Sequence, residues 1–381
     1  MVKIAIVAIT YNRLESLKRL LTSLENACYD NNTVDLFISI DKSDTSVIEE
    51  FAAKYIWSHG EYRYIAHSKN MGLRKHILSC GELLNGYDGL VVLEDDITVA
   101  ESFFLYTKAC VQKYKDDDNI AGISLYNFPI NYQNCLPFHP LRSDSDVYLM
   151  HCAQSWGQVW MPRQWKMFRE WYDTHCEEFV EKPHLPKAIC SWPKSSWLKY
   201  HTRYCIEQNK YFVYPYVSLS TNNGDTGTHV TQKSTLFQAS LLYGIKRNFN
   251  LNPVIRYDGF FENELLYDVL GLKEDELCID FYGEKQNRMQ CRYWLSRKQM
   301  PYKIIKSFTL ELFPYEMNIF AGRNGKELFL YDTSQKTKNR FTNIGYLFYC
   351  YIYHLKISRN FTTNIFKHII QRYGNKIFRK I

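Results

Sequence analysis

Val91-Val92-Leu93-Glu94-Asp95-Asp96 is an apolar, β-branched run that ends in three acids. A strand buried on both faces reads as a short apolar run of this kind. Three adjacent carboxylates at its tip repel one another and resist burial unless positive charge sits among them. A divalent cation held by oxygens supplies that charge and leaves coordination positions for water or substrate phosphates. The stretch therefore predicts a metal-bound, phosphorylated ligand at the end of a sheet strand.

The segments upstream place this strand in a sheet. Lys3 to Ile9 is apolar and β-branched, and it leads through Thr10-Tyr11-Asn12-Arg13 into a helix with Leu14, Leu17, Leu20, Leu21 and Leu24 on one face. Val34 to Ile40 reads as a second strand ending at Asp41-Lys42-Ser43-Asp44, where Ser and Asp offer a cap for a helix through Tyr55. Tyr62 to Ala66 is a third strand and Met71 to Leu84 a helix. Leu90 to Leu93 is the fourth strand, Ala100 to Tyr114 a helix, and Ile120 to Tyr126 the fifth strand. Strands alternating with helices predict an α/β fold, with a mostly parallel sheet and helices on both faces. Ligands in such sheets bind at the carboxyl ends of the strands. Thr10 to Arg13, Asp41 to Asp44 and Glu94 to Asp96 are thus expected to converge on one crevice.

Residues 127–252 lose this regularity. They hold six of the eight Trp, the segment Ser155-Trp156-Gly157-Gln158-Val159-Trp160, and a loop dense in turn formers from Tyr214 to His229. The expected division is 1–126 and 127–252 as two halves of one domain, 253–335 as a small α+β extension, and 336–381 as a tail.

Aromatic residues make up 16% of the 381 positions, which suits a stacking groove for sugars or bases as well as a packed core. The net charge of +7 resides in the tail: residues 334–381 carry ten Lys or Arg and no acid, and the remainder has 37 basic against 40 acidic residues. Phe341 to Leu355 is uncharged and rich in Tyr, and the residues after it alternate apolar and basic, an interfacial pattern suited to an anionic membrane leaflet. No nucleic-acid motif accompanies the basic tail, so a nucleic-acid partner is not expected. Eleven scattered Cys without a paired spacing predict reduced thiols. A first strand beginning by Val2, and no uncharged apolar run of about 18 residues, predict a cytoplasmic protein held at the inner face of the membrane by its tail.

Ala8-Ile9-Thr10-Tyr11-Asn12-Arg13, Asp41, the acids 94 to 96 and Ser155-Trp156-Gly157, in this order and spacing, resemble nucleotide-sugar glycosyltransferases of the GT-A fold. The likeness covers roughly residues 3–235. It is similar in particular to the inverting β-1,2-N-acetylglucosaminyltransferase I group and to bacterial family-2-like relatives that build surface polysaccharides. The resemblance implies a UDP-sugar donor, Mn²⁺ or Mg²⁺, and a saccharide or lipid-linked saccharide acceptor. It implies Asp96 as metal ligand, with Glu94 and Asp95 toward ribose and base. Thr10, Tyr11, Asn12 and Arg13 would form the base-binding loop, Asp41 would contact uracil, and His229 would be a second metal ligand. A helix cap is the plainer use of Asp96, but three acids exceed what a cap needs. Arg74, near the start of a helix, suits a diphosphate, or is a solvated surface residue. Trp156 suits an acceptor wall, because sugars present an apolar face to aromatic rings.

The inverting relatives carry the catalytic base in a Trp-Asp-Asp-Trp-type segment. Its counterpart here, Lys194-Ser195-Ser196-Trp197, has no acid. Asp225 is the first choice of base, with Asp146 and Glu207 behind it. Two other readings stay open. A nucleotidyltransferase would want a Gly-rich, Lys-containing loop in place of Thr10 to Arg13, and a non-catalytic carbohydrate-binding protein would tolerate the missing acid.

Overall fold

A computed structural model describes residues 2–339 except 135, 178, 180, 228–232 and 287–289. His229 and the tail beyond Asn339 lie outside the described residues. The chain divides into two compact units, residues 1–298 with 302–336, and residues 299–301 with 337–381. In the second, Asn339 Nδ2 donates to the Met300 carbonyl (2.9 Å) and Thr337 N to that of Pro301 (3.0 Å).

The first unit opens with β1 (Ile4–Thr10), α1 (Leu14–Glu25), β2 (Asp35–Ile40), α2 (Val47–Ala52), β3 (Tyr62–Ala66) and α3 (Leu73–Cys80). These are followed by β4 (Gly89–Glu94), β5 (Ile97–Val99), α4 (Phe103–Tyr114) and β6 (Ile120–Ser124). Every residue of β1 and β2 is buried, as their unbroken apolar pattern predicts for strands covered on both faces. Along β1, Ile4, Ile6 and Ala8 join one core while Ala5, Val7 and Ile9 join the other. That is the two-residue period of a pleated strand. The first core takes Leu17, Leu20, Leu21 and Leu24 of α1, each buried side chain contributing about 1.5–3 kcal/mol. The second takes Ile77 and Leu78 of α3.

After β6 come β7 (Ile130–Asn131), β8 (Leu136–Pro137), β9 (Val147–Met150), β10 (Gln158–Trp160), α5 (Pro162–His175), α6 (Lys187–Ser191) and α7 (Leu198–Glu207). Then follow β11 (Tyr211–Pro215), β12 (Ser220–Asn222), β13 (Arg256–Tyr257) and α8 (Leu265–Leu270). The main sheet has nine strands in the order β13-β9-β11-β6-β10-β4-β1-β2-β3. Neighbours are parallel except where β10 meets β4 and β6 and where β9 meets β11. The expected α/β class, mostly parallel with helices on both faces, is the one found. The expected adjacency of the fourth and fifth strands is not: β10 inserts between them, running antiparallel. Its Gln158 and Val159 are fully buried and Trp160 nearly so.

The expected boundary at 252 falls beside β13, which adds to the edge of the main sheet next to β9. Beyond it β14 (Leu277–Ile279), β15 (Tyr293–Ser296), β16 (Tyr302–Phe308), α9 (Met317–Phe320) and β17 (Leu328–Lys336) build a four-stranded sheet in the order β14-β15-β17-β16. The nine cysteines among the described residues are all free thiols. No helix of the described residues is long and apolar enough to cross a membrane.

Most Trp side chains of the irregular region serve the core. Trp160 and Trp165 stack with ring centroids 4.0 Å apart. On α7, His201 is 1% exposed, stacks on Phe168 at 4.0 Å, and neither ring nitrogen has a hydrogen-bond partner among the described residues. Burial pushes its pKa down to about 3. A histidine held neutral in the folded state binds its proton only after unfolding, so it costs stability as pH falls below about 6.5. His201→Phe should therefore gain on the wild type by about 2 kcal/mol between pH 7.5 and pH 5. Urea unfolding at both pH values measures this, and an unchanged difference would contradict a neutral His201.

Candidate functional site

Strands β1 and β4 are parallel neighbours with Ile9 paired to Glu94, so Thr10 comes level with Asp95. Thr10 Oγ1 donates to Asp95 Oδ2 at 2.8 Å. The chain then turns through Tyr11 and Asn12, both exposed, to Arg13 at the start of α1. The Arg13 guanidinium folds back over the acids: Nη2 pairs with Asp95 Oδ1, and Nη1 lies 3.1 Å from Asp96 Oδ2. The positive partner that the acid run demanded is thus present in part as a side chain of this protein. It neutralises one of three carboxylates.

The remaining charge is felt. Burial, then Asp96 and Asp95, push Glu94 up to about 8 against the pull of Arg13. Burial lifts Asp95, which is 2% exposed, to about 6 despite Arg13 and Thr10. Asp96 Oδ1 is buried and has no hydrogen-bond partner among the described residues. An orphaned carboxylate oxygen beside excess negative charge fits a hard divalent cation. Among the described residues no three His, Cys, Asp or Glu side chains converge as a ligand group. Further ligands would have to come from water or phosphate oxygens, as such ions commonly take them. The alternative use of Asp96 as a helix cap is absent: β5 intervenes, and the residue preceding α4 is Ser102.

Asp41 closes the end of β2. Its Oδ1 accepts from the amides of Lys42 (2.9 Å) and Met71 (2.8 Å), and its Oδ2 from that of Gly72 (3.0 Å). Gly72, at φ +73°, makes the turn into α3 that presents these amides. The residue expected on a uracil ring is therefore engaged by three backbone donors. Arg74 lies against α7, with Nη1 3.1 Å from Tyr200 Oη and the guanidinium 5.2 Å from the ring centroid.

Strand β12 pairs antiparallel with β5 and brings the turn-rich loop beside the acids. Asn223 donates to the Asp96 carbonyl from N (2.8 Å) and from Nδ2 (2.9 Å). Asp225 accepts from Ser16 Oγ (2.9 Å) and pairs with Arg19, both on α1. Burial alone would raise its pKa, but these partners outweigh it and hold the carboxyl below the usual range. A Cβ on Gly227 would stand 3.1 Å from Arg13 Nη1, so the loop passes over the guanidinium. Residues 228–232, with His229, are outside the described residues. Asp146 pairs with Lys246 at 2.5 Å, and Glu207 is held by Lys182, His184 and Arg203.

Two of the eleven predicted positions, Thr10 and Arg13, thus contact Asp95 directly, and Arg13 also reaches Asp96. Ser16 and Arg19 were not foreseen. They sit three apart on α1 and face Asp225, which is distant in sequence, so no local pattern marks them.

No protein-family model and no curated protein matches the chain in sequence. Among similar solved structures are residues 1–349 of S. aureus TarS in complex with UDP-GlcNAc, 10% identical at a TM-score of 0.40 and covering 60% of this chain and 61% of that one. The mannosyltransferase PcManGT from Pyrobaculum calidifontis, in complex with GDP-Man and Mn²⁺, is 10% identical at 0.34, covering 56% and 57%. GalNAc-T7 with UDP, GalNAc and Mn²⁺ is 12% identical at 0.39, covering 57% and 43%. The chain spans less than two thirds of each, and likenesses this distant assign no activity to it.

Proposed function

We propose that the protein is a metal-dependent glycosyltransferase of the GT-A type, moving a sugar from a UDP-sugar to a hydroxyl of a saccharide or lipid-linked saccharide. The observation that carries this reading is the acid run at the end of β4, with Asp96 Oδ1 buried and unpartnered and Arg13 offsetting only part of the charge. Asp96, with Glu94 beside it, would hold Mn²⁺ or Mg²⁺. The bound cation would neutralise the charge that develops on a departing diphosphate. Thr10 and Arg13 orient Asp95 and Asp96, and Asn223 anchors the overlying loop to the Asp96 backbone. Tyr11 and Asn12, both exposed, would meet the base.

Asp225 enters as the residue that ties the loop to α1. A general base works best with a pKa near the operating pH, and a carboxylate held low by Arg19 and Ser16 is a poor one. The basic aromatic tail, 336–381, suits an acceptor presented at an anionic surface of a bacterial cell membrane, in polysaccharide synthesis. The likeness to the inverting N-acetylglucosaminyltransferase group belongs to the same proposal.

Thermal unfolding against a panel of nucleotide sugars, with and without Mn²⁺, tests the reading. A UDP-sugar is expected to raise the melting temperature by several degrees only when the metal is present. A panel in which none stabilises the protein would refute it.

A further inference from the structure

The sheet separates two cores, and Trp156 is half-buried and packs against both. A side chain touches both faces only where it lies over the strand ends. The antiparallel register of β10 with β4, Gln158 opposite Val92, brings Trp156 level with Glu94 when continued by two residues. On the other side Gly157 accepts from Leu125 N at 3.0 Å, so the segment lies between the ends of β4 and β6.

The ring of Trp156 is edge-on to Tyr126 (5.0 Å, 70°) and tilted against half-buried Phe237 (5.0 Å, 41°). Phe237 is held there from outside the sheet. Its carbonyl accepts from Tyr126 Oη at 2.8 Å, and the next turn is tied by Thr221 Oγ1 to Ala239 N at 2.9 Å. The two half-buried rings therefore form one aromatic pair at this end of the sheet, with Trp156 in register with Glu94.

Gln154 supplies a polar counterpart. Its Oε1 accepts from Ser155 N (2.8 Å) and Trp156 N (3.0 Å). Two donors on one atom require it to be the carbonyl oxygen, so the amide orientation is determined. Nε2 is then left buried with no partner among the described residues, on a side chain only 2% exposed. A buried donor left unmade is destabilising, and a ligand oxygen would satisfy it.

Resting on the glycosyltransferase reading, we infer that Trp156, Phe237 and Gln154 form the subsite for one pyranose ring of the acceptor. The apolar face of the ring lies on the Trp156–Phe237 surface, and one of its hydroxyls accepts from Gln154 Nε2. The donor nucleotide is held on the opposite side of the acids, by the β1–α1 segment.

The test loads the full-length protein with UDP and Mn²⁺ and titrates methyl glycosides of hexoses and N-acetylhexosamines, read by saturation-transfer NMR and tryptophan fluorescence. At least one glycoside should bind. Phe237→Ala should weaken it about tenfold through lost stacking, and Gln154→Glu about tenfold through a lost donor. Gln154→Glu keeps the oxygen that holds the two amides, so it distinguishes a lost donor from a lost turn. Both variants should bind UDP within about twofold of wild type, as expected for residues outside the donor site. Binding of no glycoside, or variants that bind like the wild type, would overturn the subsite. Failure to bind UDP overturns the glycosyltransferase reading instead, and the glycoside titration is then read on the nucleotide-free protein.

Discussion

Asp96→Asn is expected to lower sugar transfer by roughly 10³-fold and to remove the metal dependence of UDP-sugar stabilisation, while changing stability without metal by less than about 1 kcal/mol. The two carboxylate oxygens do different things. Oδ2 accepts from Arg13, and an amide oxygen can take that place. Oδ1 is buried and unpartnered. The amide would turn its NH₂ to that position, and a donor aimed at a cation repels it. The fold is therefore kept and the ion lost. Isothermal titration with Mn²⁺ and UDP, beside denaturation without metal, separates the two effects. Intact metal-dependent binding in the variant would remove Asp96 from the metal site.

Arg13→Met is expected to destabilise the protein by about 3–5 kcal/mol at pH 8, the usual cost of stripping the partner from a buried charge. Asp95 would keep only Thr10 Oγ1 as a side-chain donor while remaining 2% exposed. Its carboxyl already sits near 6 with Arg13 in place, and losing the guanidinium raises it further. A carboxyl whose folded pKa is raised above the unfolded value stabilises the folded state most at low pH. That contribution is lost as pH rises through the folded value. The penalty should therefore be larger at pH 8 than at pH 5. Adding Asp95→Asn to Arg13→Met should recover part of it, because the more deeply buried of the two charges is then gone while Asp96 still lacks its counterion. Guanidinium unfolding of the three proteins at both pH values reads this out. Equal midpoints for wild type and Arg13→Met would show that the ion pair contributes nothing.

Much of the first 126 residues was legible in the chain. Strands β1, β4 and β6 are almost wholly apolar runs, β2 and the largely exposed edge strand β3 carry Asp35, Ser39 and Arg63, and α1 shows its leucine face, so local periodicity announces most of these elements. Where locality ends, legibility ends. Strand β10 is three residues long, and its place between β4 and β6 is decided by burial of Val159 and Trp160 between partners far away in sequence. The Met71 to Leu84 helix is α3 followed by a short 3₁₀ turn. The helix offered a cap at Asp41 to Asp44 begins later, behind Ser46, whose hydroxyl donates to Glu50 and makes no cap hydrogen bond.

The candidate site divides along the same line. By itself the sequence determined that three acids end a buried strand, that Thr10 to Arg13 follow the first strand, and that the acids' charge calls for a positive partner. These follow from residue type and strand period, which are local. Only the tertiary structure decided how that charge is shared. The register of β1 with β4 puts Thr10 on Asp95, and the return of Arg13 supplies an internal counterion. Asp41 is committed to backbone amides, and Asp225 to Ser16 and Arg19. A carboxylate takes whichever donors the folded chain brings within about 3 Å. For Asp225 those donors come from a helix more than two hundred residues away, a distance no local pattern spans.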